Sequence, residues 1–388
     1  MTKSLFGSLL ENDNMYKADT IVEDMSSKVP QRQAFFSTSP TMSWGSAVGY
    51  QPGMTELIYG PKSSGKTMIV LDRIKHALRE DPETIAVFVD AEMNFEYEST
   101  LRWIAANGVP LDRVMIIRDV CIQKIFETQM LEKVQSEIVK GNVKVAYAAM
   151  DSIAAMSPKN VPQTEAAIKN AGKAKKSYYS NQDYGARANY LSRIFPFYRM
   201  FCRDHRVFTS FLNQAREDGE DFHGNKRYKT NGGEALYHEV QYRTLVTQWG
   251  EPIFNDTKSV TSDQMVKIGH RIKFKFEKNK AGEGQDREGF CDVEYMRGIV
   301  NVEKELTVLA SKLGIIKQAG AWFNFDDEVK GQGVDAFADK LKDQPDVYNV
   351  IYSRVMQMAS TQPEVAVTFD ENVDPTTGEI IEGEKNGK

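Results

Sequence analysis

The stretch that most constrains the fold is GPKSSGKT, at residues 60 to 67. It matches the phosphate-binding loop pattern, in which two glycines flank four residues and Lys-Thr follows. The preceding letters TELIY predict a short strand, and the following letters predict an amphipathic helix. A strand, a glycine-rich turn and a helix in this order predict an α/β nucleotide-binding fold. The apolar stripe of the helix consists of Met68, Leu71, Ile74 and Leu78.

The residue types in this loop match the needs of a bound triphosphate. Gly60 and Gly65 let consecutive backbone N–H groups face the phosphates, and the helix adds its positive end. Lys66 is predicted to neutralise the β and γ phosphates, and Thr67 to offer its hydroxyl to magnesium. An accidental glycine-rich turn is the alternative, and the flanking strand and helix argue against it. The predicted nucleotide-binding residues of the loop are Gly60, Pro61, Lys62, Ser63, Ser64, Gly65, Lys66 and Thr67.

Three carboxylates follow two further apolar strand patterns. Asp90 and Glu92 end IAVFVDAE, and Asp151 ends VAYAAMD. The carboxyl ends of parallel strands face the ligand crevice of an open sheet. Glu92 is therefore predicted to orient and deprotonate a water that attacks the γ phosphate, and Asp151 is predicted to hold magnesium together with Thr67. Each carboxylate taken alone could instead cap a helix.

The order of strand and helix patterns predicts the fold class. After a polar N-terminal segment to about Phe36, the earlier strands alternate with helices, which predicts a mostly parallel, twisted sheet flanked by helices. From about Asn301 the pattern changes to helices around a small hairpin, which predicts a small C-terminal α/β domain. Further strands are predicted at TIAVFVD, KVAYAAMD, RVFTSFLN, YRTLVTQW, RIKFKFEK and GFCDVEYM. The predicted divisions are an N-terminal arm, 1–36, a core, 37–300, the small domain, 301–362, and a tail, 363–388.

Composition narrows the class of protein. Of 388 residues, 41% are hydrophobic and 27% are charged, which is enough for a large buried core. No apolar stretch approaches the roughly 20 residues of a membrane span, so a cytoplasmic location is expected. The three cysteines and five histidines do not cluster, which argues against a disulfide framework or a zinc site.

The net charge of −5 is concentrated in the tail. Residues 363–388 hold seven acidic residues and two lysines, so the rest of the chain is neutral overall. A segment that is acidic and rich in Gly, Thr, Pro and Asn has little to bury, and it is predicted to be disordered. Such a tail could act as a solubilising end or as a competitor for a basic groove.

Two basic segments are candidates for nucleic-acid binding. The first segment covers residues about 159–187, and the second covers residues 215–233. The second follows Asn213 and Gln214, which lie at the end of a strand, where a side-chain amide could sense the γ phosphate. Both interleave basic with aromatic side chains, the ingredients of single-strand binding. The alternative is that both segments are solvated surface loops that bind no nucleic acid. The predicted DNA-binding residues are Tyr184, Gly185, Arg187, Arg193, Arg216, Phe222, Lys226, Arg227, Asn231, Gly232 and Gly233.

Together these motifs resemble the RecA-type DNA strand-exchange recombinases, in their bacterial and phage forms. The resemblance covers most of the chain from Ser37, including FVDAEMNF, MDSIAAMSP, FLNQAR, FHGNKRYKTNGGEAL, KFEKNKAG, EYMRGI and the C-terminal KQAGAWFNFDDEVKGQGVDAFADKLKDQP. It implies that Gln214 senses the γ phosphate and that Tyr295 lies near the adenine. It also implies that Lys278 and Lys280 reach across a subunit interface, like an arginine finger supplied in trans. The alternative is that these lysines lie on an exposed edge strand and prevent it from aggregating.

The resemblance implies a RecA-like P-loop ATPase that uses ATP and Mg²⁺. Its protomers would form helical filaments on single-stranded DNA and exchange it with a homologous duplex, in recombination and in repair of DNA damage. Single-strand-binding and loader proteins are further expected partners. A ring-forming helicase on the same core, or an ATP-gated assembly protein without turnover, are the alternatives. The expected catalytic residues are Glu92, Lys66, Gln214, Lys278 and Lys280.

Overall fold

Strand β1 (Thr55–Gly60) is central to the sheet, and all six of its residues are buried. Its parallel neighbours are β5 (Phe208–Glu220) and β7 (Tyr242–Phe254). Burial of consecutive residues is the pattern of a parallel strand covered on both faces. The structure is a computed structural model, and it describes residues 33–93, 98–158, 185–220, 226–230, 234–254, 266–282, 284–326, 329–362, 364–370 and 373–378.

The other strands of this sheet, in chain order, are β2 (Ile85–Asp90), β3 (Val114–Ile117), β4 (Val145–Asp151), β6 (Lys226–Thr230), β8 (Lys267–Asn279), β9 (Glu288–Glu294) and β10 (Gly298–Val300). Among the described residues their order is β10-β9-β8-β7-β1-β5-β4-β2-β3, with β6 paired to β5. The six strands from β7 to β3 are parallel, which confirms the predicted mostly parallel sheet. The strands from β8 to β10 extend it in the antiparallel sense.

Helices cover both faces of this sheet. Ile58 of β1 packs in one apolar cluster, whereas its neighbours Leu57 and Tyr59 pack in the other, because successive strand residues point to opposite faces. A π-helix over Lys124–Val134 leads directly into α4. In the part of the chain that the structure describes, no helix is both long and apolar enough to span a bilayer. The helices are α1 (Pro40–Ser46), α2 (Lys66–Glu80), α3 (Glu98–Ala106), α4 (Gln135–Val139), α5 (Ala186–His205) and α6 (Glu234–Glu239).

A buried ion pair fastens α2 to β1, the two elements on either side of the phosphate loop. Arg73 of α2 pairs with Glu56 of β1, and both side chains are fully buried. The Arg73 guanidinium also donates to the Tyr50 hydroxyl at 2.7 Å. Glu56 accepts hydrogen bonds from the hydroxyls of Ser210 and Thr244, on the strands that flank β1. A buried pair satisfied in this way fixes the relative position of the strand and the helix.

A small α/β unit follows β10, as the pattern after Asn301 predicted. Its apolar side chains share one cluster with Trp44, Trp249 and Phe290 of the preceding chain, so the unit packs directly on the large sheet. The structure adds a third strand to the predicted hairpin. The elements are α7 (Val302–Lys312), β11 (Lys317–Ala319), β12 (Trp322–Phe325), β13 (Val329–Gln332), α8 (Gly333–Lys342) and α9 (Pro345–Thr361).

Glu305 of α7 joins this unit to the N-terminus of α1. One carboxylate oxygen accepts hydrogen bonds from the backbone N–H and the hydroxyl of Thr41, both at 2.7 Å, and from the Ser39 hydroxyl. Burial raises the pKa of Glu305 to about 8, although these donors act in the opposite direction. The carboxyl group is therefore a buried acid at the junction between α7 and α1.

The structure contradicts the predicted disorder of the tail over its described part. Val367 and Phe369 are buried in the apolar cluster of the C-terminal helices. Arg271 pairs with Asp374 at 2.7 Å, and the Lys273 ammonium donates to the Phe369 carbonyl at 3.0 Å. The prediction considered the acidic composition of the whole segment and overlooked its apolar residues at alternate positions. In an extended chain, such residues lie on one face, which can be buried. Residues 379–388 lie outside the described part of the chain.

The segment after Gln214, predicted as a loop, is partly a β-hairpin. Strand β5 continues to Glu220, and β6 pairs with it in the antiparallel sense. Pairing satisfies the backbone polar groups of a segment that has few apolar side chains to bury. The hairpin places Arg216 opposite Lys229 and Glu217 opposite Tyr228. Residues 221–225 and 231–233, which include several predicted DNA contacts, lie outside the described residues.

Candidate nucleotide site and nucleic-acid interface

The loop after β1 has the tight backbone that its glycines predicted. Gly65 has a φ of 91°, which side-chain-bearing residues rarely adopt. A Cβ atom at Gly60 would lie 1.9 Å from the Val246 carbonyl oxygen, and one at Gly65 would lie 2.3 Å from Ile272 Cδ1. Helix α2 begins at Lys66, directly after the loop, so its N-terminal N–H groups face the same space and favour an anion there.

Lys66 is held by the carbonyls of its own loop. Its ammonium donates to the Pro61 carbonyl at 2.6 Å and to the Gly60 carbonyl at 3.1 Å. Burial lowers the pKa of Lys66, and the carboxylates of Asp151 and Glu92 oppose this shift. Charged phosphate oxygens are stronger partners for an ammonium than neutral carbonyls, so this position favours a polyphosphate.

Thr67 and Asp151 form the candidate metal site. The Thr67 hydroxyl donates to Asp151 Oδ2 at 3.1 Å. Burial raises the pKa of Asp151 to about 7, and the Glu92 charge adds to the rise. A hydroxyl and a carboxylate suit Mg²⁺, which usually takes one or two protein ligands together with waters and phosphate oxygens. The described residues contain no group of three or more His, Cys, Asp or Glu that could hold a metal.

Glu92 is joined to the ends of two other strands. Its Oε1 accepts hydrogen bonds from the Ser152 hydroxyl at 2.5 Å and from the Gln214 amide at 3.0 Å. Glu92 follows β2, Ser152 follows β4, and Gln214 lies in β5, so three parallel strands bring these groups together. The structure therefore places the predicted base and the predicted sensor in direct contact.

Glu92, Asp151 and Gln214 line one cavity of about 350 Å³, together with loop residues 62–67. Asp90, the remaining candidate carboxylate, is fully buried in β2 and outside the cavity lining. Tyr295, expected near the adenine, lines the cavity together with Met68 and His270. His270 was not predicted, because a single histidine in a strand pattern carries no signal of its own.

The sheet order separates the cavity into two sides. His270 belongs to β8, and Tyr295 follows β9, whereas Glu92 and Asp151 come from β2 and β4 on the other side of β1. Neighbouring strands are spaced by about 4.8 Å, so the two groups of side chains approach the loop from opposite directions. A nucleotide with its phosphates in the loop has the carboxylates at one end and the two rings at the other.

Lys278 and Lys280 lie far from this cavity. Lys278 pairs with Arg243 of β7, near the level where β1 begins. The phosphate loop instead packs near Ile272, six residues earlier in β8. Six residues of a strand span about 20 Å, which exceeds the reach of a lysine side chain. The two lysines therefore do not reach the nucleotide cavity of their own chain.

Asn279 fixes the direction in which these lysines point. Its side-chain amide donates to the Ser46 carbonyl at 3.0 Å and accepts from the Ala281 N–H at 3.0 Å. Alternate strand residues face opposite sides, so Lys278 points away from the Asn279 amide, and Lys280 follows directly after the end of β8. Burial lowers the pKa of Lys278, and the neighbouring charges of Lys280 and Arg243 add to this effect. The Lys278 ammonium donates to the His238 carbonyl, and Arg243 pairs with Glu277 at 2.8 Å, so part of this positive charge is compensated within the chain.

Several predicted DNA-binding residues lie on the surface. Arg193 of α5, Arg216 of β5 and Arg227 of β6 are exposed, as is Gly185 immediately before α5. The hairpin places Arg216 directly opposite Lys229, and Glu217, Asp218 and Glu220 follow in the same strand, so both signs of charge are present there. Lys226 begins β6. Five predicted contacts lie outside the described residues: Tyr184, Phe222, Asn231, Gly232 and Gly233.

Arg187 is placed differently from the predicted phosphate contact. One guanidinium nitrogen donates to the carbonyls of Ile153, Ala154 and Met156, at 3.1, 2.6 and 3.2 Å. Burial lowers the pKa of Arg187. The Arg187 side chain therefore packs against the turn that follows Asp151 at the end of β4. It does not extend from α5 into solvent.

Comparison with known proteins gives two family matches. The RecA N-terminal domain matches residues 3–300, and the RecA C-terminal domain matches residues 304–360. Protein RecA of Streptococcus gordonii is 29% identical over 342 residues, which are 88% of this chain and 78% of the relative. Protein RecA of Streptococcus sanguinis is 30% identical over 309 residues, which are 80% and 72% of the two chains. Protein RecA of Lactococcus lactis subsp. cremoris is 29% identical over 311 residues, which are 80% of this chain and 71% of the relative.

Proposed function

Because this chain belongs to the RecA family, we infer that it is a DNA-dependent ATPase of the P-loop type and a homologous recombinase. Its protomers form filaments on single-stranded DNA, pair that strand with a homologous duplex and exchange the strands in recombination and repair. The family assignment supports this function, since the two matches together span residues 3–300 and 304–360. The contacts of the candidate site support the more specific assignments that follow.

We propose that Glu92 is the general base for ATP hydrolysis. The Ser152 hydroxyl and the Gln214 amide donate to the same oxygen of Glu92, which orients the carboxylate at the edge of the cavity. An oriented carboxylate can position and deprotonate a water for attack on the γ phosphate. Lys66 stabilises the negative charge that develops on the phosphate in the transition state.

Thr67 and Asp151 are the proposed protein ligands of Mg²⁺. When bound, the ion would neutralise charge on the β and γ phosphate oxygens. Asp151 holds a proton more readily than an ordinary carboxyl, because burial raises its pKa to about 7, and a cation at this position would favour its ionised form. Tyr295 is the proposed contact to the adenine.

The observation that carries this proposal is the hydrogen bond of 3.0 Å from Gln214 to Glu92. Two residues after Gln214, the same strand reaches Arg216 and enters the hairpin with β6. A γ phosphate in the cavity would compete with Glu92 for the amide. A change of partner at Gln214 would then shift the strand that carries Arg216 and the hairpin with β6, which would link the nucleotide state to DNA binding.

The lysine pair is proposed to act at the interface between protomers. Lys278 lies about 20 Å along β8 from Ile272, the residue that packs beside the loop, and Lys280 lies further away, just after the strand ends. If they contribute to catalysis, they therefore do so at the nucleotide of a neighbouring protomer. Binding of ATP between two protomers would then stabilise the filament by mass action.

We also propose DNA contacts, roles for the other segments, a location and partners. The DNA contacts are Gly185, Arg193, Arg216, Lys226 and Arg227 within the described residues, with the loops about 159–187 and 215–233 as the two binding segments. Residues 1–36 are proposed to contact the next protomer, residues 301–362 to form the C-terminal domain, and the protein to act in the cytoplasm. Single-strand-binding and loader proteins are proposed partners.

A phosphate-release assay with and without single-stranded DNA tests the function. Wild-type protein should release phosphate from ATP, with a large increase on addition of DNA. Glu92→Gln should retain nucleotide binding and lose turnover, whereas Glu132→Gln, an exposed carboxylate on the π-helix, should behave as wild type. Filaments that form without DNA and release no phosphate would contradict the proposal, as would closed rings that unwind duplex without strand exchange.

A further inference from the structure

His270 is a buried imidazole that the chemistry proposed above does not use. Its side chain is only 6% exposed, and it lines the nucleotide cavity. Within the residues that the structure describes, neither ring nitrogen has a partner with regular hydrogen-bond geometry, although the Ser64 backbone lies close enough to His270 to act on its pKa. Buried polar groups are almost always hydrogen-bonded, and exceptions are frequently explained by a ligand or by function. At least one ring nitrogen is therefore available to a ligand inside the cavity.

Two neighbours define where that partner must lie. A Cβ atom at Gly65 would be 3.2 Å from His270 Nε2, so the imidazole lies against the phosphate loop. The His270 and Tyr295 ring centres are 5.9 Å apart. Both rings come from the β8–β9 side of β1, opposite the strands that carry Glu92 and Asp151. With the γ phosphate at the carboxylate end, the sugar and base of a nucleotide extend toward His270.

The protonation state of His270 suits a neutral partner. Burial lowers the pKa of His270, the charge of Lys267 acts in the same direction, and the Ser64 backbone opposes the shift. The imidazole is therefore neutral near pH 7, with one N–H donor and one acceptor nitrogen. A neutral donor and acceptor match a sugar hydroxyl or the edge of a purine. A phosphate would instead favour the charged imidazolium.

We propose that His270 is a positioning residue that hydrogen-bonds to the nucleoside half of the bound nucleotide, between the phosphate loop and Tyr295. The inference rests on the proposed function, in that the cavity binds ATP. It assigns to β8 a direct part in nucleotide recognition, in addition to the lysines at its other end. Loss of one hydrogen bond between neutral groups weakens binding by roughly three- to tenfold.

Calorimetric titration of the full chain without DNA tests this role. The ligands are ATP, 2′-deoxyATP and inorganic tripolyphosphate, which offers only the phosphates. His270→Ala and His270→Phe, which keeps a ring but has no nitrogen, should bind ATP roughly three- to tenfold more weakly and tripolyphosphate as well as wild type does. His270→Asn retains a donor and an acceptor and should recover most of the affinity. If the partner is the ribose 2′-hydroxyl, the variants should bind 2′-deoxyATP as wild type does.

The matched control is His205→Ala, at the end of α5 and outside the cavity lining, which should bind all three ligands as wild type does. In steady-state assays with DNA, KM for ATP should rise in the His270 variants while kcat stays near wild type. Unchanged ATP binding, or equal losses for ATP and tripolyphosphate, would overturn the role of His270. Failure of wild type to bind ATP would instead overturn the proposed function.

Discussion

The Gln214 amide and the Glu92 carboxylate, carried by β5 and by the end of β2, are 3.0 Å apart and hydrogen-bonded. Replacing Gln214 with Ala removes the donor that a γ phosphate would capture. We expect ATP binding to persist, and the difference in single-stranded DNA affinity between the ATP and ADP states to shrink. Allosteric couplings typically amount to about 5- to 150-fold, which sets the scale of the loss.

Fluorescence anisotropy of a labelled oligonucleotide, with ATP or with ADP, measures this coupling. Gln318→Ala is a suitable control, because Gln318 is exposed in β11 of the C-terminal unit. An undiminished difference between the two nucleotide states in Gln214→Ala would show that the sensor lies elsewhere.

The lysine pair predicts complementation between two inactive proteins. Lys66→Ala lacks a functional phosphate loop, and the double variant Lys278→Ala, Lys280→Ala lacks the pair at the far end of β8. Each should have little ATPase activity alone. If the lysines act on a neighbour, mixed filaments contain some sites with an intact loop from one protomer and an intact pair from the next, so mixing restores activity.

Phosphate release across a series of mixing ratios measures this effect, with a maximum expected near equal amounts. Lys317→Ala, in the exposed strand β11, serves as the control for loss of a surface charge. If activity never rises above the sum of the two proteins measured separately, the pair does not work between protomers.

Glu305 predicts a stability that depends on pH. Its pKa rises from an ordinary 4.5 to about 8 in the folded protein, mainly through burial. The folded state therefore keeps a proton that the unfolded state loses, so this contribution to stability is complete below pH 4.5 and is lost as the pH rises to about 8. Within that window the free energy of unfolding should fall by up to about 1.4 kcal/mol per pH unit.

Urea denaturation at pH 6 and pH 8 tests this, because Glu305→Gln replaces the acid with a permanently neutral amide. The loss of stability between the two pH values should be smaller in Glu305→Gln than in wild type. Glu303→Gln, on the same helix, should retain the wild-type dependence. Identical pH dependence in wild type and Glu305→Gln would assign the effect to other groups, such as Asp151.

The packed part of the tail predicts two different truncations. Removing residues 364–388 exposes the cluster around Phe369 and breaks the Arg271–Asp374 pair, and it should lower the free energy of unfolding by roughly 2–4 kcal/mol. Removing only residues 379–388 should leave it nearly unchanged. Phe369→Ala isolates the apolar part of the effect. Chemical denaturation of all three proteins makes the comparison, and equal stability of both truncations would contradict the packing.

The candidate nucleotide site was predictable because short, continuous stretches of sequence specify its parts. Residues 60–67 specify a strand, a turn and a helix within one short stretch, and the carboxyl ends of parallel strands must meet at one edge. The convergence of Glu92, Asp151 and Gln214 follows from that rule, although the contact between Glu92 and Gln214 does not. Nothing in the sequence singles out His270, because its significance comes from neighbours that lie far away along the chain.

The errors of prediction arose where composition was averaged over a segment. The tail is acidic as a whole, yet Val367 and Phe369 alternate on one face and are buried. Strand β6 was missed because KRYKT lacks the apolar alternation of a half-buried strand, and its partner β5 supplies the backbone hydrogen bonds. Strand β3 was missed because it has only four residues, too few to show a clear strand pattern beside the longer strands β2 and β4.

The anchored amide of Asn279 has a consequence for the evolution and engineering of β8. Side chains along a strand alternate with a period of two, so inserting or deleting a single residue ahead of this amide would exchange the inward and outward faces. Both ammonium groups would then turn toward α1, and an amide would take their place on the face proposed to meet a neighbouring protomer. Changes of length in this strand are therefore tolerable only in pairs of residues, or where a bulge restores the phase.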